Sequence, residues 1–332
     1  MLEASPVGNS SHSSFLFGGF PSLQNHQRLL VLVLLIGCYV TLLLGNCALL
    51  LVIGSVASLH SPMYLLIASL CAVDILVGTT IFPTTLLSLL FNWDRISLTG
   101  CLTQMFFTHF LSSLESTLLL AMALDRYVAI CLPLRYNKIM NASVFAKLLL
   151  FALFRSGSIM GTLVGLAGSL WFCDSNTIRH CYCDHMALVS LACGDTERNR
   201  AAGFAVIICF VGVDTPVIFF SYVKILSVVL RASASGEERW KAFHTCGTHL
   251  MVMTCFYLVG SVSFLSPSIN IPPDAHTFMG LMYILLPATV NPIIYGVRTK
   301  EIRNGFLKIF KVRAKKLKSM KVKVSPAGKA KT

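Results

Sequence analysis

Long apolar runs alternate with short polar breaks along this chain. A membrane-crossing helix needs about 20 apolar residues. Seven stretches reach that length: 29–55, 63–91, 101–132, 144–171, 201–230, 240–265 and 275–297. The fourth is the weakest, because FRSGSIMGT (154–162) interrupts it. SLHSP, NWDRISLTG, CLPLRYNK, RASASGEE and SPSINIPPD lie between the runs and carry turn residues. The pattern predicts an all-α integral membrane protein, a seven-transmembrane helix bundle, with a short amphipathic helix after the seventh span.

Composition points the same way. The 332 residues would suggest two soluble domains by length alone. They are 55% hydrophobic and only 12% charged, and the mean hydropathy is +0.73. Soluble domains carry about 25% charged residues. The net charge of +13 is not a nucleic-acid signature, because 13 of the 27 Lys and Arg fall between Arg298 and Thr332. A basic tail beside a membrane helix faces the anionic cytosolic leaflet.

An odd number of spans puts the termini on opposite sides, and the positive-inside rule places the tail in the cytosol. Arg135, Lys138, Lys147, Lys224, Arg231, Arg239 and Lys241 then fall on the same side. Residues 1–28 are expected outside, 29–297 form the membrane domain, and 298–332 form a basic cytosolic tail. The first 27 residues lack a basic segment followed by a long apolar one, so the first helix directs its own insertion. Asn9-Ser10-Ser11 is a glycosylation acceptor on the outer N-terminus. Asn141-Ala142-Ser143 has the same form but falls on the cytosolic side.

Cys101, Cys173, Cys181, Cys183 and Cys193 all lie on the predicted outer side, where cysteines oxidise. Four of the five can form two bridges, and spacing leaves the pairing open. HCYCDH (180–185) also carries metal-ligand types, but bridges account for most of the outer cysteines, and no metal or other cofactor is expected.

Ionisable residues inside spans are costly and point to function. Asp74, Glu115, Arg155 and Asp214 are four of them. Asp74 and Glu115 sit at similar depth and can share a cation or a proton, or can lock a polar packing contact. Arg155 reads as a packing or ion-pair residue. Gly157, Gly161, Gly165 and Ser169 form a small-residue stripe, expected to contact a helix inside the bundle. His109, Ser112, Ser113 and Ser116 share a face of the third span. Tyr257, Ser261, Phe264 and Ser268 share one on the sixth. Apolar walls with a few orienting polar groups suit a small organic ligand. Pro216, Pro287 and Asn291-Pro292 bend helices and free carbonyls, which suits a bundle with two packings.

These residues coincide with a known family. GN (45–46), LHSPMY (59–64), MALDRYVAIC (122–131), SY (221–222), KAFHTCGTHL (241–250) and PATVNPIIYGVRTKEIRNG (287–305) run in order along the chain. It resembles a rhodopsin-like G-protein-coupled receptor, and specifically an odorant receptor. FLFGGFPSL and HCYCDHMALVSLACGDTERN resemble the class I (fish-like) branch.

The resemblance implies bridges Cys101–Cys183 and Cys173–Cys193. It implies an interior ion-linked site at Asp74 and Glu115. It implies a ligand pocket with walls from His109, Val206, Ile207, Phe210, Tyr257 and Phe264 and with His185 as a lid, to which the shared faces of the third and sixth spans add Ser112, Ser113 and Ser261. The activation and coupling set would be Asp125, Arg126, Tyr127, Tyr222, Lys241, His249, Asn291, Pro292 and Tyr295. Partners would be a small organic odorant, a heterotrimeric G protein of the stimulatory, cAMP-raising kind, and membrane lipid, with no nucleic acid and no catalysis.

Three positions depart from the family pattern. Leu124 replaces an aromatic before Asp125. His244 stands where Ser or Asn is usual. SVSFLSPSIN lacks the base that carboxylate-binding relatives can carry, leaving His109, His185 and His276 as anion partners that work only if protonated. A receptor for a non-odorant metabolite is the alternative. A transporter would show internal repeats, and a retinal protein a lysine in 275–297; neither is present. A metal site at HTCGTH, as in a membrane enzyme, would occupy the G-protein face.

Overall fold

The computed structural model describes residues 11–173, 175–231, 236–265, 272–309 and 311, without the side chains at 237–238, 241–242 and 263–265. Seven helices are long and apolar enough to cross a membrane. They are α1 (Asn25–Ser55), α2 (Pro62–Phe91), α3 (Leu98–Cys131), α4 (Ala142–Gly168), α5 (Glu197–Arg231), α6 (Gly236–Leu265) and α7 (Pro273–Arg298). Their ends match the apolar runs to within a few residues. FRSGSIMGT does not break α4.

Local chemistry sets several ends. Ser97 accepts from the Gly100 N–H at 3.1 Å to start α3, and Asn141 accepts from Val144 at 3.0 Å to start α4. Both are side-chain caps on otherwise orphaned donors. Pro62 opens α2, where a missing N–H does no harm. Asn92, at φ 51°, closes α2 in the left-handed region.

The bundle is packed around α3. In its most apolar window 72% of residues are buried, against 17% for α1 and for α5. Leu70, Ile81, Leu119, Ala123, Val252, Leu281 and Ala288 form the dry centre. Leu30, Leu44, Leu51, Phe154, Phe219 and Phe220 face outward. An apolar belt of that size suits lipid rather than water. Exposed Trp93 and Trp171 near one end, and Trp240 near the other, match aromatic belts at the two interfaces.

The Gly45-Asn46 pair and the Asn291-Pro292 pair meet in space. Pro292 has no N–H, so the Ala288 carbonyl loses its helical donor. Asn46 Nδ2 donates to that carbonyl at 2.9 Å and to Leu42 O at 3.0 Å. A Cβ on residue 45 would stand 2.8 Å from Pro292 Cγ, so only glycine allows this approach.

After α7, residues 300–309 form α8. Ile302 is fully buried, and Phe306 and Ile309 pack on the core. Glu301, Arg303 and Leu307 are exposed, which gives the amphipathic pattern.

Two small sheets lie at the end that carries the disulfides. In the first, β1 (Ser14–Phe17) is central, antiparallel to β2 (Arg95–Ser97) and parallel to the later strand Thr177–Ile178. The second pairs β3 (Trp171–Phe172) with Ala192–Cys193; in chain order these later strands are β4 (Thr177–Ile178) and β5 (Ala192–Cys193). The residues before α1, read as an outer tail, are therefore folded onto the bundle from Ser11 onward.

The small-residue stripe of α4 is a correction. Gly161, Gly165 and Ser169 are exposed, and a Cβ at Gly161 or Gly165 would meet nothing within 4 Å. Only Gly157 touches a neighbour, Phe110. α4 packs on the bundle through Ala152, Ser156, Met160, Leu163 and Ala167, and that buried row turns the stripe outward.

Replacing Asn46 with Ala should cost about 1–3 kcal/mol, the usual penalty for a buried carbonyl left without its donor. Thermal unfolding of purified receptor in detergent checks this; an unchanged melting temperature would contradict the role assigned to Asn46.

Candidate functional site

A polar chain crosses the middle of the bundle. A π-type turn at Ile208–Gly212 interrupts α5, and such turns leave carbonyls without helical donors. Arg155 of α4 reaches this turn. Its Nη2 donates to Cys209 O at 2.6 Å and to Asp214 Oδ1 at 2.8 Å; its Nη1 donates to Asp214 Oδ2 at 3.0 Å and to Thr117 Oγ1 at 3.2 Å. The guanidinium also lies 4.3 Å from the centre of the Phe210 ring. Ser116 Oγ of α3 donates to Asp214 Oδ2 at 3.0 Å and lies 2.9 Å from the Tyr257 hydroxyl of α6. One bidentate ion pair and two hydroxyls thus tie α4, α5, α3 and α6 together. A charged pair survives in this setting because each charge is almost fully bonded.

A second cluster lies between α2, α3 and α7. Asn291 Nδ2 donates to Asp74 Oδ2 at 3.1 Å and Oδ1 at 3.4 Å, and to Glu115 Oε1 at 3.5 Å. Both carboxyl groups are buried. The two acids therefore share a single amide donor, and an added proton or cation would satisfy them.

A third group sits at the opposite end from the disulfides. Arg126 pairs with Asp125, its Nε donating to Oδ2 at 3.0 Å. Tyr136, in the following loop, donates to Asp125 Oδ1 at 2.9 Å. Tyr222, His249 and Tyr295 are buried nearby in the bundle. His249 and Tyr295 have ring centres 5.7 Å apart, and among the described residues neither Tyr222 Oη nor His249 Nδ1 has a hydrogen-bond partner. Tyr127 is half-buried against the core. Leu124 is exposed, and Thr248 donates to the His244 carbonyl at 2.9 Å.

At the disulfide end, Cys101 joins Cys183 and Cys173 joins Cys193. Gln104 staples the first bridge in place. Its Oε1 accepts from Cys183 N at 3.0 Å, while its Nε2 donates to Thr84 Oγ1 at 2.8 Å and Thr80 O at 3.2 Å. Asp184 caps the loop helix His185–Val189 through Ala187 N at 3.0 Å. Burial pushes its carboxyl up, but His180, His109, His185 and that N–H outweigh burial and hold it below the usual range. Burial lowers His180 to about 4 and His185 to about 4. His180 packs against α7 where Gly280 leaves room: a Cβ there would clash with the imidazole Nε2. Among the described residues, no three His, Cys, Asp or Glu side chains are grouped to hold a metal.

The expected pocket residues divide. His109 and His185 each present a buried Nε2 without a partner. His185 is buried and wedged against Gly203 of α5, 3.7 Å from that residue's would-be Cβ. Ser112 stands beside Tyr283, whereas Ser113 donates to its own helix at Phe110 O, 2.8 Å away. Val206 and Phe210 pack with Met160 and Leu163 in a satellite cluster. Ile207 is half-buried and Ser261 exposed. The side chains of Phe264 and Lys241, and the whole of Asn9, lie outside the described residues. A surface hollow of about 510 Å³ at Leu16 and Phe91 to Arg95 contains none of these groups.

The two loop histidines set a pH dependence. Each is held near 4, below its ordinary 6.5, so between those values the unfolded loop binds protons that the folded loop excludes. Loop stability should be full above about pH 6.5 and fall as pH drops toward about 4. Hydrogen exchange of residues 177–193 at pH 7 and pH 5 reads this; a His180→Gln/His185→Gln variant should lose less protection on acidification, and equal loss would contradict it.

Comparison with known proteins accords with this arrangement. A family model described as olfactory receptor matches residues 35–313. Olfactory receptor 52K2 of Homo sapiens is 40% identical over 311 residues, 93% of this chain and 98% of that receptor. Olfactory receptor 52K1 of Homo sapiens is 41% identical over 304 residues, 91% of this chain and 96% of that one. Olfactory receptor 51E2 of Mus musculus is 40% identical over 306 residues, 92% and 95% of the two chains. The 51 and 52 groups agree with the class I branch. The chain belongs to the olfactory receptor family, and is a multi-pass membrane receptor of the G-protein-coupled class rather than an enzyme.

Proposed function

We propose that this receptor binds a small organic odorant in the disulfide-side half of the bundle and activates a stimulatory, cAMP-raising G protein at the Arg126 end. The disulfide end, with residues 1–28 and a glycan on Asn9, faces outside, and the basic tail 298–332 faces the cytosol. Oxidised cysteines at one end and the excess of Lys and Arg at the other support that orientation.

The observation that carries the reading is the chain Tyr257–Ser116–Asp214–Arg155. It lies deeper than His109 and His185 along the bundle and ties four helices. A ligand that bears on Tyr257 or Ser116 changes how α6 is held against α3. Such a ligand must bind the active packing more tightly than the resting one, or nothing shifts. At the other end, Arg126 held by Asp125, which also accepts from Tyr136, is the resting lock. Its release would present Arg126 to the G protein and to the unbonded hydroxyl of Tyr222, as the inner part of α6, from Lys241 to His249, moves outward. Leu134, 101% exposed in the loop beside Tyr136, adds an apolar contact for the same partner. Asp74 and Glu115 hold a proton or a small cation between them.

The uncharged state of His185 bears on ligand class. An imidazole held near 4 is neutral at pH 7, so it can hydrogen-bond an alcohol, ketone or ester but does not supply the positive charge that a carboxylate needs. Neutral oxygenated odorants fit this site better than short acids.

A panel of acids, alcohols, ketones, esters and amines in cAMP-reporter cells should yield an agonist among the neutral oxygenated members. With that agonist, Arg126→Ala should lose essentially all cAMP response at unchanged surface expression. Normal signalling from the variant would overturn the proposed coupling.

A further inference from the structure

We infer that residues 14–20 are a strap that closes the disulfide end of the bundle and controls the passage of small molecules to the loop residues 180–185. The strap is β1 with the turn that follows it. Leu16 N donates to Asn176 O at 2.8 Å, Phe17 N to Asp94 O at 2.9 Å, Gly18 N to Ile178 O at 2.7 Å and Gly19 N to His180 O at 3.2 Å. These bonds fasten one segment to the α2–α3 loop and to the α4–α5 loop together. A few residues on, Ser22 N donates to Asp274 at the start of α7, 3.2 Å from Oδ2.

The side chains do the same. Phe15 is fully buried beside the Cys101–Cys183 bridge and meets Phe172 edge-to-face at 5.2 Å. Phe20 turns inward and joins the main core, where Cys181 and Tyr182 also lie. The turn needs both glycines. A Cβ on Gly18 would stand 3.1 Å from Ile178 O, and Gly19 has φ +53°. The strap therefore sits on the segment that supplies His180, Cys183, Asp184 and His185. It is short and is held by these backbone bonds and by the buried rings of Phe15, Phe17 and Phe20, so its opening can be read apart from global unfolding.

The chain carries its own reporter. Cys181 is the one free cysteine outside the seven helices among the described residues, and it is 1% exposed. Burial also pushes its thiol up, so the reactive thiolate is scarce while it is covered.

The test is the rate at which a membrane-impermeant maleimide modifies Cys181 on intact cells, with Cys181→Ser as the blank. The full receptor should react slowly. Gly18→Pro, which removes one strap bond and crowds Ile178, should react about tenfold faster, the scale on which losing a ladder bond or two shifts a local opening. Leu16 and Arg95 are register partners, so Leu16→Cys/Arg95→Cys, with the cross-link confirmed by mass spectrometry, should react more slowly than the parent. Equal rates in the parent and the cross-linked receptor would overturn the inference, and this arm decides the matter if Gly18→Pro fails to reach the surface. The use of intact cells rests on the proposed orientation. Arg179→Cys on the Cys181→Ser background, an exposed site at the same end, separates the two. If that control is unlabelled on cells, the orientation is wrong, and the same comparison in vesicles open to both faces still decides the strap.

Discussion

Within a bilayer, no water is at hand to bond a freed carbonyl or neutralise a charge, so a broken helical bond or a buried charge in the bundle needs a partner from the chain itself. That constraint explains the main polar contacts here. Pro292 frees the Ala288 carbonyl and Asn46 takes it. The π-type turn in α5 leaves the Cys209 carbonyl to Arg155, and Arg155 in turn needs Asp214. Both of these breaks in helical bonding are met by a side chain from a different helix. The breaks therefore become the points at which helices are joined.

Such joints are strong and can be rearranged. A buried pair stripped of one partner loses about 3–5 kcal/mol, whereas a hydroxyl–hydroxyl contact is worth about 1 kcal/mol. In the chain from Arg155 to Tyr257, the ion pair is thus the fixed end and the Ser116–Tyr257 contact the movable one. The second fixed point is Asn291 between Asp74 and Glu115. The lock at Asp125, Arg126 and Tyr136 is a separate joint at the far end. A receptor with firm joints at mid-depth and weak ones on α6 can change its packing there at small cost.

Much of this was legible in the residues. Apolar runs located all seven helices, and the intramembrane polar residues marked Asp74, Glu115, Arg155 and Asp214. The partners were harder to see. Nothing local in Gly45-Asn46 says that it faces Pro292, because that meeting is set by the packing of α1 on α7. Asp214 read as one more buried acid until the turn at Ile208–Gly212 aimed it at Arg155. Small residues every fourth position in α4 fit either a helix contact or a lipid face, and the buried row from Ala152 to Ala167 decides between them. The strap is not legible in the sequence because FLFGGFP is a short apolar run, and its pairing with β2 and β4 is long-range.

The central claim is that the Ser116–Tyr257 contact holds α6 in the resting packing. Its most direct test is a double-mutant cycle on agonist-free cAMP output, with Ser116→Ala, Tyr257→Phe and the pair compared at equal surface expression. Each single variant should raise basal output, and the pair should raise it no further than either alone, because each removes the same contact. Additive increases, or no increase from either single change, would contradict the account.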